Sequence, residues 1–161
     1  MTAVRRLVPG LVLIGLLLPA APAYADATLF LGITPTPENR AARGFSVGFG
    51  LLVLGFEFEY ANTVEDLAES GPALTTGMAN VLVQTPGVGG LQLYATAGAG
   101  LYREELAAHS ETSMGLNTGG GIKVRLAGPL RIRLDYRAFR LQGDPLHKTY
   151  QRFYAGANLA F

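Results

Sequence analysis

The 161-residue sequence contains no cysteine, which excludes both a disulfide framework and a thiolate metal site. Histidine is almost as scarce. His109 and His147 are the only two, and neither stands at a ligand spacing from the other or from nearby carboxylates, so no metal and no cofactor is expected. A membrane-spanning helix is also missing, because the apolar run Leu7 to Leu18 is interrupted by Pro9 and Gly10 and falls short of the roughly 20 residues a bilayer requires. Charge is balanced, with 13 Lys and Arg against 12 Asp and Glu, so no polyanion and no nucleic acid is implied as partner. Gly119-Gly120-Gly121 lacks both a following helix pattern and a Lys-Ser/Thr pair, so it is no phosphate cradle of the nucleotide-binding kind.

What the first residues do contain is a targeting segment. Arg5 and Arg6 make a basic start, Leu7 to Leu18 an apolar stretch, and Ala23-Tyr24-Ala25 an Ala-x-Ala cleavage site, the three parts of a secretory signal peptide. The expected division is a cleaved signal over residues 1–25 and one domain over 26–161. Cleavage removes Arg5 and Arg6 and leaves 11 cations against 12 anions, a net charge of -1. The remaining 136 residues suit one domain.

The strongest pattern in that domain is Leu130 to Leu141, where Leu130, Ile132, Leu134, Tyr136 and Ala138 alternate with Arg131, Arg133, Asp135, Arg137 and Phe139. A period of two is a strand. Leu54 to Tyr60 repeats it with the opposite sign, setting Leu54, Phe56, Phe58 and Tyr60 against Gly55, Glu57 and Glu59. Ile122, Val124 and Leu126 alternate with Lys123 and Arg125, and Phe153, Ala155, Ala157, Leu159 and Phe161 with Arg152, Tyr154, Gly156, Asn158 and Ala160. Strands apolar on one side and polar on the other, separated by turn residues, are the signature of a transmembrane β-barrel.

Breakers and alternation together predict eight strands: about 28–34, 44–51, 54–62, 78–85, 91–104, 116–127, 130–141 and 152–161. The turn between Leu51 and Leu54 carries no Gly or Asn, and inward Leu82 departs from the rule in strand four. Connections at 35–43, 63–77, 105–115 and 142–148 are long and those between them short, as in barrels with long outer loops and short inner turns. Each proline after residue 25 falls in a connection, as required where every strand N-H must pair. The fold class is therefore all-β: an eight-stranded antiparallel up-and-down transmembrane barrel behind a cleaved signal peptide.

These strands, the signal segment and the terminal Leu159-Ala160-Phe161 resemble the small outer-membrane barrels of the OmpA-like and OmpX-like group, a porin-family type. The resemblance implies location in the bacterial outer membrane, insertion by the barrel-assembly machinery, and a C-terminal assembly signal formed by Phe153, Leu159 and Phe161. It also implies a barrel without the peptidoglycan-binding domain of the larger members. Partners are then outer-membrane lipid and an unidentified partner at the external loops, and the protein is expected to be a monomer.

An eight-stranded barrel is just wide enough to be filled by its own side chains. The expected lumen charges are Lys123, Arg125, Arg131, Arg133, Arg137 and Arg152 against Glu57, Glu59 and Asp135, with the two glutamates paired to arginines of strands six and seven and surplus cations near the wet ends. A charged lumen rules out an apolar-cavity carrier of the lipocalin kind. The reading that results is a structural or surface-interaction barrel with a largely plugged lumen. A narrow anion-preferring pore is the alternative. A third is an enzyme modifying lipid A, for which His109, Ser110, Glu111, Ser113 and His147 supply the only candidate chemistry, although no catalytic residue is assigned.

Overall fold

The computed structural model describes residues 23–161 except Leu52. The signal-peptide reading lies outside the described residues apart from Ala23, Tyr24 and Ala25, which open the first strand. The described chain is eight strands: β1 (Ala23–Thr34), β2 (Arg40–Leu51), β3 (Leu54–Thr63), β4 (Ala73–Gln84), β5 (Leu91–Leu106), β6 (His109–Ala127), β7 (Leu130–Leu141) and β8 (Thr149–Ala160). Each pairs antiparallel with the next, and β1 pairs with β8, so the sheet closes into a barrel in strict sequence order. Closure leaves no edge, the only way a sheet satisfies its backbone polar groups inside lipid.

The period of two decides which residues face out. Leu29, Leu31, Phe45, Val47, Phe49, Phe56, Phe58, Val81, Leu93, Leu134 and Phe153 are exposed, while their alternate neighbours are buried. An apolar exterior around a polar interior inverts the arrangement of a water-soluble barrel and marks a membrane-spanning one. Cross-strand aromatic pairs such as Phe45–Tyr60, Phe49–Phe56 and Tyr136–Phe153, with ring centroids 5.7, 5.3 and 4.8 Å apart, tie neighbouring strands together on the lipid side.

Several boundaries differ from expectation, and each has a local cause. Strand β4 begins at Ala73 and not near Met78, because Leu74 and Met78 continue inward the face that Leu82 occupies. The largest correction is at 105–115, read as a polar loop. There β5 and β6 run on as a ladder to Leu106↔His109, leaving only Ala107-Ala108 as connection. Ala107 has φ of 52°, a conformation normally advertised by Gly or Asn, so no turn signal is legible there. From His109 to Ser113 both faces carry polar residues, so alternation also fades. The connections therefore do not alternate long and short throughout. Elsewhere β1, β2 and β8 start three to five residues earlier than expected, at Ala23, Arg40 and Thr149.

The interior is layered. Toward the loops Leu74, Met78, Tyr102, Phe139, Leu141 and Tyr150 form an apolar cluster, and Phe30 stacks on Tyr154 at 4.0 Å beside Ala61. Between and below them lies the charge.

Candidate functional site

Alternation on β7 delivers Arg133, Asp135 and Arg137 to the same face at two-residue steps, about 7 Å apart. Four strands round the ring, β3 delivers Glu57 and Glu59 from the opposite wall. Arginine is long enough to reach across. Arg133 Nη1 donates to Glu57 Oε2, and Arg133 Nη2 lies 3.2 Å from Glu57 Oε1. Arg137 Nη2 reaches the same Oε1 at 2.9 Å and Glu59 Oε2 at 3.5 Å. Arg152 of β8 sits 3.3 Å from Glu59 Oε1 and also donates to Thr76 Oγ1. Asp135 bridges its own neighbours, accepting from Arg133 Nη2 at 2.9 Å and Arg137 Nε at 2.8 Å.

Polar and aromatic neighbours complete the set. Tyr94 donates to Asp135 Oδ2 and accepts from Arg133 Nε at 2.7 Å, while Tyr154 donates to Glu59 Oε2 at 3.2 Å. The Arg133 guanidinium lies 4.8 Å from the Tyr94 ring and 5.6 Å from the Tyr154 ring, contacts that suit a weakly hydrated planar cation. Room for these side chains comes from β6. A Cβ at Gly121 would overlap the Tyr94 phenol and the Leu134 carbonyl, and one at Gly119 would press on the Tyr136 carbonyl. Arg133 and Arg137 are both 0% exposed, so every charge here must be matched by a partner.

Lys123 pairs with Asp26, not with a residue of β3, so the expected pairing of the glutamates with β6 does not occur. Asp26, Arg40 and Glu104 are buried charges that were not anticipated. Asp26 and Arg40 lie before the strand starts drawn from the sequence, although each has inward parity, with Thr28 and with Ser46. Glu104 has the parity of inward Tyr102. Glu104 accepts from Tyr150 and from the Leu146 amide at 2.6 Å, which straps the β7–β8 connection over the mouth. Arg125 is exposed beside a β-bulge between Arg125 and Ala127, and Arg131 is half-buried. Counting fully buried charges among the described residues, five cations (Arg40, Lys123, Arg133, Arg137, Arg152) meet five anions (Asp26, Glu57, Glu59, Glu104, Asp135). The surplus cations, Arg125 and Arg131, lie at the end of the barrel.

The residues considered for catalysis divide between the two faces of β6 and the β7–β8 connection. His109, Glu111 and Ser113 share the inward parity of β6, whereas Ser110 points to the other side and is exposed. His109 Nε2 lies 4.0 Å from Glu104 Oε2, but neither His109 Nε2 nor His147 Nδ1 has a hydrogen-bond partner among the described residues. The described residues contain no group of three His, Asp or Glu able to hold a metal. Of the expected assembly residues, Phe153, Leu159 and Phe161 all lie exposed along β8 and its end, and the Phe161 amide donates to the Ala25 carbonyl at 2.9 Å.

The closed eight-strand topology matches solved structures. Neisserial surface protein A superposes with a TM-score of 0.69 at 17% identity, over 86% of this chain and 97% of that one. This is the small outer-membrane β-barrel fold. The N-terminal barrel domain of Pseudomonas aeruginosa OprF gives 0.65 at 16% identity, over 86% and 97%. The outer membrane enzyme PagL gives 0.53 at 12% identity, over 83% and 98%, so the small outer-membrane barrel hosts catalysis in some cases. No family model matches the sequence, and no curated protein matches it either.

Proposed function

We propose that this chain is an integral outer-membrane barrel with a closed lumen, exported by a cleaved signal peptide, inserted by the barrel-assembly machinery, and acting as a monomer through its outer end. The observation that carries this reading is the balance of five buried cations and five buried anions, with Arg133 and Arg137 spanning the lumen. Side chains paired across a diameter obstruct a pore, and the central charges there are matched. The void lined by Asp26, Gly55, Glu57 and Gln84 has a volume of about 10 Å³, room for one water at most. A structural or surface-interaction role then falls to the β5–β6 hairpin that overhangs the membrane and to the connection at 64–72, which presents exposed Val64, Leu67 and Glu69. Against Ser110 as a nucleophile stands its separation from His109 on opposite faces of β6.

Liposome swelling tests the closed lumen. Vesicles carrying the refolded protein should exclude small sugars and small organic anions as well as protein-free vesicles do, and permeation of either would refute the reading. On intact cells, added protease should cut within 64–72, and protection of that segment would place it on the inner side.

A further inference from the structure

Cations face each other across a strand pair at three places, and at two of them carboxylates neutralise the pair. Lys123 stands opposite Arg133, and Asp26 with Glu57 and Asp135 neutralises them. Arg137 stands opposite Arg152, with Glu59 between them. Like charges directly opposite are destabilising without such a counter-ion. The third pair lacks one. Arg125 faces Arg131, and neither makes an ion pair with any described residue; the one side-chain hydrogen bond is from Arg131 Nη1 to Gln92 Oε1 at 3.3 Å.

This unmatched pair borders a cavity of about 410 Å³ at the barrel end that carries both termini. Lys123 lines the same cavity, and its nearest anion, Asp26, is already engaged with it. Across the opening, the β4–β5 connection contributes Gly89 and Gly90, consecutive residues with φ of 60° and 82°. They are the two central residues of a tight hairpin closed by Val88 and Leu91, and neither amide donates a backbone hydrogen bond among the described residues. Two guanidiniums with no anion assigned to them thus converge on one opening, beside the Lys123–Asp26 pair. Planar guanidinium forks fit tetrahedral oxyanions with paired hydrogen bonds.

We propose that this inner mouth is an oxyanion site that takes a phosphate group, with Arg125 and Arg131 as its principal ligands. The site does not depend on Tyr24, which also borders the cavity. Cleavage after Ala25 would remove Tyr24 and place a further cation, the new α-ammonium of Asp26, at the same end. The phosphate could be free in the periplasm or belong to a phospholipid headgroup of the inner leaflet.

The test uses the refolded barrel and its thermal unfolding midpoint, read by heat-modifiable gel migration. In zwitterionic micelles, inorganic phosphate should raise the midpoint above chloride at equal ionic strength; in vesicles, phosphatidic acid should raise it above phosphatidylcholine. A rise in the first arm assigns free phosphate, and a rise only in the second assigns a headgroup. Arg125→Gln combined with Arg131→Gln should abolish the rise and, in chloride, unfold no earlier than wild type, because a repulsive pair has been removed. Should the double variant not fold, Arg125→Gln alone, at an exposed position, carries the same comparison. No rise in either arm, an undiminished rise in the variant, or a variant less stable in chloride would overturn the proposal.

Discussion

Replacing Arg133 by Met removes a side chain that holds Glu57, Asp135, Tyr94 and Ser46 together. In the central cluster three arginines (133, 137, 152) face three carboxylates (57, 59, 135), so the change leaves one buried negative charge unmatched. Breaking a buried pair from one side costs about 3 to 5 kcal/mol. Glu57 keeps Arg137 at 2.9 Å, which places the expected loss near the lower end, about 3 kcal/mol. Glu57→Gln alone leaves an unmatched cation and should cost a similar amount, but the double variant restores neutrality. Its loss should therefore fall short of the sum of the single losses by about 2 kcal/mol, within the range for groups sharing a network. Urea unfolding of each variant in lipid vesicles measures this, with Asp26→Asn as a partner change outside the central cluster. Strict additivity of Arg133→Met with Glu57→Gln, equal to that with Asp26→Asn, would show that interior charges are individually hydrated and refute the reasoning.

Other expected outcomes concern the wall and the outer end. Leu134→Arg places a cation on the lipid face, where Leu134 is exposed, and should cost about 2 to 4 kcal/mol near the midplane; a loss below about 1 kcal/mol in the same unfolding assay would mean that this face is wet. Ala107→Gly relieves a positive φ of 52° at the hairpin tip and should raise stability by about 1 kcal/mol, checked by slower amide exchange in β5 and β6 above the membrane; faster exchange would contradict the turn geometry. Deleting Phe161 should reduce insertion into outer membranes, read by the heat-modifiable fraction in cell envelopes, and normal insertion would place the assembly signal elsewhere.

Strand number and facing were legible because lipid and lumen impose opposite chemistries at every second residue; β7 has the bounds that its alternation gives, Leu130 to Leu141. The same logic failed where both faces became polar. From His109 to Ser113 polar residues occupy both the half-buried and the exposed face, so strand looked like loop, and the Ala107-Ala108 turn carried no glycine to announce itself. Charge facing was legible within recognised strands, as for Glu57, Glu59 and Arg133, but Asp26 and Arg40 were lost with the strand ends on which they lie. What alternation could not supply was partnership. Which arginine meets which glutamate depends on β3 and β7 standing opposite each other across the barrel and on Gly119 and Gly121 leaving space, and neither is a property of one strand.

Planar-bilayer recording tests the closed lumen most directly. Wild-type protein should leave the baseline flat under applied voltage, since Arg133 and Arg137 bridge the lumen to Glu57 and Glu59, whereas Glu57→Ala combined with Arg133→Ala and Arg137→Ala, which removes all three of these bridges, should admit small ions. Uniform anion-selective steps from the wild-type barrel would contradict the account and make the lumen a pore.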